Sequence, residues 1–133
     1  MPHRPDHHRP HLAIIDDDPG IRNVMHSLLH DEYSVSLVWD GLEDPLAFID
    51  RCQPDLIIQD VRLGSLVTIW SVLDHLATFP ANHTPAVIAC SADHAFLFTH
   101  EQTLRDRNCA VVAKPFDIDV FLGAVASSLT TRG

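Results

Sequence analysis

A single lysine, Lys114, stands in the run Cys109-Ala110-Val111-Val112-Ala113-Lys114-Pro115-Phe116, straight after an apolar stretch and straight before a proline. Acidic residues hold matching places elsewhere. Asp16, Asp17 and Asp18 follow Leu12-Ala13-Ile14-Ile15, and Asp60 follows Leu56-Ile57-Ile58-Gln59. Ser91 follows Ala86-Val87-Ile88-Ala89-Cys90. Four short apolar runs therefore each end in a residue suited to metal or phosphate chemistry. Two like charges about 5 Å apart repel by roughly 3 kcal/mol at an effective dielectric near 20. Asp16, Asp17 and Asp60 brought together thus require a cation among them or one protonated carboxyl. Oxygen-only donors, with no His or Cys in the set, favour Mg2+, which takes one or two carboxylates together with waters and phosphate oxygens. Lys114 supplies a fixed positive charge and Ser91 a hydroxyl donor.

Each residue alone has a plainer reading. Asp16 to Asp18 could be a helix-capping cluster facing the dipole, and Asp18 reads as that only. Asp60 could be a solvated turn residue, Ser91 a turn serine, and Lys114 a surface lysine before a rigid loop. Coincidence at four strand ends at once is the weaker account.

The elements that must position these groups follow from periodicity. Leu12 to Ile15 reads as a central parallel strand covered on both faces. Asp18-Pro19 starts a helix, with the acid as cap and the proline in the first turn; Ile21, Val24, Met25, Leu28 and Leu29 form its apolar stripe. Val35, Leu37 and Trp39 alternate as a second strand ending at Asp40-Gly41. Asp44-Pro45 opens a second helix with Leu46, Phe48 and Ile49 inward, and Gln53-Pro54 closes it. Asp55 to Gln59 is the third strand, and Leu66, Ile69, Trp70, Leu73, Leu76 and Ala77 give a third helix. Pro80 to Pro85 reads as a loop, Ala86 to Cys90 as a strand, and a fourth helix falls within Asp93 to Arg107. Ala110 to Ala113 is the fifth strand. Asp117 caps a last helix with the stripe Val120, Phe121, Ala124, Val125 and Ser128. Alternating strands and helices predict an α/β sheet with helices on both faces. Right-handed crossovers then bring every strand C-terminus to one edge, where ligand sites of such sheets lie.

Composition narrows the function. At 133 residues, 46% hydrophobic and 20% charged, the chain suits one soluble globular domain. Only Leu129 to Gly133 remain after the last predicted helix, so no second domain is expected. The net charge of −9 and the scattered arginines argue against a nucleic-acid surface. No apolar stretch approaches the ~20 residues of a membrane span, and residues 1–11 lack the apolar segment of a signal peptide. That leader, rich in Pro and His, reads as a flexible arm; metal capture by His3, His7, His8 and His11 is a weak alternative. Cys52, Cys90 and Cys109 lack metal spacing and are odd in number, which fits a reducing cytoplasm. Cys90 and Cys109 are expected to pack as small hydrophobes.

Four pieces in this order resemble the receiver domain of bacterial response regulators: Ile14-Ile15-Asp16-Asp17-Asp18-Pro19, Pro54-Asp55-Leu56-Ile57-Ile58-Gln59-Asp60-Val61-Arg62-Leu63, Ser91-Ala92 and Lys114-Pro115-Phe116. The resemblance covers about Leu12 to Leu129. It implies a doubly wound, flavodoxin-like (βα)5 fold with a five-stranded parallel sheet of order 2-1-3-4-5 over residues 12–131; that order is the one general accounts of this fold give for a receiver protein. It implies that Asp60 takes a phosphoryl group from a histidine kinase or phosphotransfer protein. Asp17 and Asp60 would hold Mg2+ directly, Asp16 through water, and the Arg62 carbonyl would be a further ligand. Lys114 would pair with one phosphoryl oxygen and Ser91 with another. Output would run through an unknown downstream protein rather than DNA or a membrane, with pairing of two copies through the fourth and fifth helices.

The chain departs from that family in places. Val111 stands where many receivers carry Tyr or Phe, so the usual aromatic rotamer switch is absent; Phe96 or Phe98 could substitute, although core packing is the plainer role. Arg62 and Asp93 flank the acceptor and are expected to form an ion pair over Asp60 that slows water access. The loop Leu63-Gly64-Ser65-Leu66 lacks the proline often found there. Three alternatives stay open. The chain could be a receiver cut from a longer regulator or hybrid kinase, with a boundary just after the last helix. It could be a Mg2+-dependent phosphatase, although Arg62 stands where such enzymes place a second acid. It could be an interaction module that acts without phosphorylation.

Overall fold

Leu12, Ala13, Ile14 and Ile15 are all fully buried, and so is the run from Leu56 to Ile58 to within 1%. Strands this uniformly apolar are stable only when helices cover both faces of the sheet. The structure, a computed structural model, describes residues 10–38, 43–61 and 68–132. The strands are β1 (His11–Ile15), β2 (Ser34–Val38), β3 (Leu56–Asp60), β4 (Ala86–Ser91) and β5 (Cys109–Ala113). They are parallel and lie in the order β2-β1-β3-β4-β5. The predicted fold class and strand order are therefore observed.

The helices are α1 (Pro19–Leu29), α2 (Pro45–Cys52), α3 (Ile69–Leu76), α4 (His94–Asp106) and α5 (Ile118–Arg132). Met25 and Leu29 of α1 and Phe121 and Val125 of α5 pack with Leu12, Ile14, Ile58 and Ile88 on one face. On the other face, Phe48 and Ile49 of α2, Val72 and Leu76 of α3, and Leu97 and Leu104 of α4 pack with Ala13, Ile15, Ile57 and Ala89. Alternate strand residues serve alternate faces, as the pleat requires.

Helix starts follow the acids and prolines. Asp18 Oδ1 accepts the Gly20 N–H at 2.8 Å, and Asp44 Oδ2 accepts the Ala47 N–H at 3.1 Å. Asp93 Oδ1 accepts the Phe96 N–H at 2.9 Å, and Asp117 Oδ1 accepts the Val120 N–H at 3.1 Å. Each bond satisfies an amide that the helix leaves unpaired. Gln53 ends α2 in the left-handed region (φ 49°), donating its N–H to the Ile49 carbonyl at 2.9 Å.

Several expectations are corrected. Val24 is 48% exposed and Val120 is 60% exposed. Each sits one residue before a fully buried stripe member (Met25, Phe121), about 100° around the helix, so it falls at the margin and outside the packed face. Leu46 is only partly buried. Thr68 starts α3 through a reciprocal pair with Ser71, a cap the apolar pattern did not reveal. A short 3-10 turn, Ala81–His83, interrupts the expected loop before β4. Phe98 is 88% exposed and takes no part in the core, whereas Phe96 lies beside Trp70 at 6.2 Å between ring centroids. The N-terminal arm through residue 9, Trp39-Asp40-Gly41, and the loop Leu63-Gly64-Ser65-Leu66 lie outside the described residues. So does Arg62, with its expected metal carbonyl and its ion pair to Asp93.

Candidate phosphoacceptor site

β1, β3, β4 and β5 all end at one edge, and the polar residues that end them meet there. Asp16, just past β1, is 1% exposed although it is an acid. Its Oδ2 receives the Lys114 ammonium at 2.6 Å, and its Oδ1 accepts the Asp18 N–H at 2.9 Å. The Arg22 guanidinium donates to the Asp16 carbonyl. Asp60, the last residue of β3, receives the same ammonium on Oδ2 at 3.2 Å. One cation thus bridges acids that are 98 and 54 residues away from it in the chain.

Lys114 is brought there by β5 and by its backbone. Its N–H donates to the Ser91 carbonyl at 2.8 Å, which continues the β4–β5 pairing past Ala113. The Lys114–Pro115 peptide is cis. The Lys114 carbonyl lies 2.7 Å from His94 Nε2, joining it to the first residue of α4. Ser91, 2% exposed, ends β4; its Oγ accepts the Asp93 N–H at 2.9 Å.

The charges explain one another. Burial alone would lower the Lys114 pKa, but the hydrogen bonds and charges of Asp16 and Asp60 outweigh it and hold the group above its ordinary value. Asp17 is pushed above the ordinary carboxylate value, first by desolvation and then by the negative charges of Asp60 and Asp16. The acids are therefore crowded even with Lys114 between two of them. Among the described residues no three His, Cys, Asp or Glu side chains are arranged as a ready metal cluster. The donor set nevertheless fits a hard divalent cation, because it is all oxygen and burial and the neighbouring acids outweigh the pull of Arg22 and Lys114 on Asp17.

The structure thus brings Asp16, Asp17, Asp60, Ser91 and Lys114 to one edge, and Arg62 is the one predicted site residue outside the described residues. Sequence reasoning missed Arg22 and His94. Neither left a signal in residue type, since each is joined to a backbone carbonyl. A groove of about 700 Å3 lined by Leu73, Phe79, Val87, Arg105, Cys109 and Ser127 lies at the opposite end of the sheet and contains none of the site acids.

Residues 12–126 match the family model described as the response regulator receiver domain. The chain belongs to the response regulator receiver family. Receiver domains are signalling phosphoacceptors of two-component systems, typically phosphorylated on an aspartate and typically binding Mg2+ at that site. This receiver is similar to an uncharacterized 14.6 kDa protein of the sodA1 3′ region of Leptolyngbya boryana, at 24% identity over 80% of this chain and 79% of the other. Its fold is shared with the signal receiver domain of an HD domain-containing protein from Pseudomonas fluorescens (TM-score 0.75, 17% identity, 93% of this chain and 89% of that one). It is shared also with NtrX from Brucella abortus (TM-score 0.75, 23% identity), of which the match covers 28% of that chain and 93% of this one. No helix of the described residues is long and apolar enough to cross a membrane.

Proposed function

We propose that this receiver accepts a phosphoryl group on Asp60 from a phosphohistidine of a histidine kinase or phosphotransfer protein. The observation that carries the reading is the bridge from Lys114 to Asp16 and Asp60, at 2.6 and 3.2 Å. Such a bridge holds the acceptor carboxylate in place and presents an ammonium to an incoming phosphoryl oxygen. In the transfer the P–N bond to histidine breaks, a P–O bond to Asp60 forms, and the imidazole leaves with a proton taken from solvent. Positioning and charge neutralisation are what phosphoryl transfer asks of a protein.

Asp17 and Asp60 would hold Mg2+ directly, Asp16 through water, and the Arg62 carbonyl would complete the protein ligands. The cation neutralises charge on the phosphoryl oxygens when bound. The Ser91 hydroxyl donates a hydrogen bond to a second phosphoryl oxygen. Ala92, exposed and small, leaves the approach to Asp60 open. The phosphoacceptor unit runs from His11, which opens β1 and so corrects the expected boundary at residue 12, to Arg132 at the end of α5. The setting is the cytoplasm, which suits three free cysteines. Output runs to a downstream protein. Phe98 on α4 and Ile118 and Val120 on α5, all exposed apolar residues, support pairing of two copies through these helices.

Titration with acetyl phosphate or beryllofluoride in the presence of Mg2+ tests the reading. With acetyl phosphate the wild type acquires one hydroxylamine-labile acyl phosphate, with beryllofluoride it binds the non-covalent mimic, and Asp60→Asn does neither. Labelling of Asp60→Asn equal to wild type would remove Asp60 from the role. Val111, partly buried against the α3–α4 cluster, favours one second reading, a receiver that binds partners without phosphorylation. Failure of both probes to alter the wild type supports that reading.

A further inference from the structure

Gln59 is fully buried, and neither its side-chain nitrogen nor its side-chain oxygen has a hydrogen-bond partner among the described residues. Buried polar groups are nearly always paired. An orphaned carboxamide one residue before Asp60 therefore demands a physical account. The sheet register puts Gln59 between Ile15 on β1 and Ala89 on β4, with Val111 of β5 beyond Ala89. The pleat places this row on the face covered by α2, α3 and α4. One step further along the same face lies Ser91, whose Oγ accepts the Asp93 N–H at 2.9 Å. Ala89 contributes only a methyl to the row and Val111 a short, partly buried side chain.

We propose that Gln59 is a positioning residue that couples the state of Asp60 to the packing of α3 and α4. When the Ser91 hydroxyl turns toward a phosphoryl oxygen on Asp60, the Gln59 carboxamide acquires the hydrogen bonds it lacks from the turn Ser91–Asp93. The unphosphorylated form carries two unpaired polar atoms, and the phosphorylated form does not. A conformational equilibrium moves only by such differences between its states. The row Gln59-Ala89-Val111 has no ring that could fill or vacate the space behind Ser91, so the amide is the group there able to change partners. This inference rests on Asp60 being the phosphoacceptor.

The test compares wild type with Gln59→Met, an unbranched substitution of similar volume. Melting is followed with Mg2+ alone and with Mg2+ plus beryllofluoride. Gln59→Met raises the Tm without beryllofluoride by about 3–6 °C, because the orphaned atoms are gone. The further rise that beryllofluoride gives falls to less than half of the wild-type rise. Equal rises in both proteins overturn the coupling while leaving Asp60 as acceptor. A wild type that does not respond at all ends the phosphoacceptor reading and the coupling with it. Nitrogen-15 spectra of the wild type give a readout independent of the variant's folding. Gln53 and Gln102 are exposed, so the one Gln side-chain amide slow to exchange belongs to Gln59. Its resonances move downfield on adding beryllofluoride; unmoved resonances sink the proposal.

Discussion

Lys114 Nζ lies 2.6 Å from Asp16 Oδ2, and the Asp16 side chain is only 2% exposed. A carboxylate so deeply placed is paired directly with a half-buried ammonium. Removing one partner of a buried pair leaves the other charge uncompensated, at a cost of about 3 kcal/mol or more. Lys114→Met is therefore expected to lower the urea midpoint substantially, with part of the loss recovered on adding Mg2+. An unchanged midpoint would mean that the bridge contributes nothing to folding.

Asp17 gives a pH dependence whose sign is fixed. Its folded pKa lies above the ordinary 3.8, from desolvation first and then Asp60 and Asp16. Folding thus favours its protonated form. The associated stability is present below pH 3.8 and is lost as pH rises through the folded value. Asp17→Asn is expected to melt about 1–2 °C higher than wild type at pH 7 without Mg2+, a small gain because Asp17 is exposed and screened. The difference closes below pH 3.8 and shrinks in high salt. The same variant should bind Mg2+ more weakly, on the order of tenfold. Calorimetry across pH, with and without the cation, checks both parts.

Asp93 caps α4 through the Phe96 N–H, so charge and cap are separable there. Asp93→Ala is expected to lose about 1 kcal/mol, and Asp93→Ser to lose little. If Asp93 also shields the phosphoryl group together with Arg62, Asp93→Ser shortens the aspartyl-phosphate lifetime while the melting point holds. A lifetime equal to wild type in Asp93→Ser and in Arg62→Ala would leave no shielding pair.

The thiols supply a fourth expectation. Burial pushes Cys90 and Cys109 up to about 12. The native protein should therefore expose only Cys52, which is partly buried, to a disulfide reagent at pH 8, and all three thiols after denaturation. Above pH 9 the unfolded chain gains thiolates that the folded chain does not, so stability falls as pH rises through that range. Fast reaction of all three thiols in the native state would contradict the burial.

The sheet was legible in the sequence because buried parallel strands are near-continuous apolar runs, as in Leu12 to Ile15. The site acids and Lys114 were legible because each directly ends such a run. Helix margins were less so: Val24 and Val120 fit an apolar stripe, yet one residue of helical rotation puts them in water. Phe98 is apolar and exposed, and no single-sequence pattern separates it from Phe96. Hydrogen bonds to backbone, from Arg22 to the Asp16 carbonyl and at the His94–Lys114 carbonyl contact, leave no trace in residue type. The loneliness of Gln59 depends on what its neighbours across the sheet fail to offer, which requires the register.

The helix caps have a collective effect. Asp18, Asp44, Asp93 and Asp117 all stand at helix starts, and helices in this topology begin where strands end. They ring the same rim as Asp16, Asp17 and Asp60, against the cations of Lys114 and Arg22. The approach to Asp60 is thus a negative field that an anion must climb. Encounters with small anionic donors should speed up as ionic strength rises, whereas a partner with a basic face should dock faster in dilute buffer. If Asp60 is the acceptor, this repulsion would discriminate among phosphodonors before any contact is made.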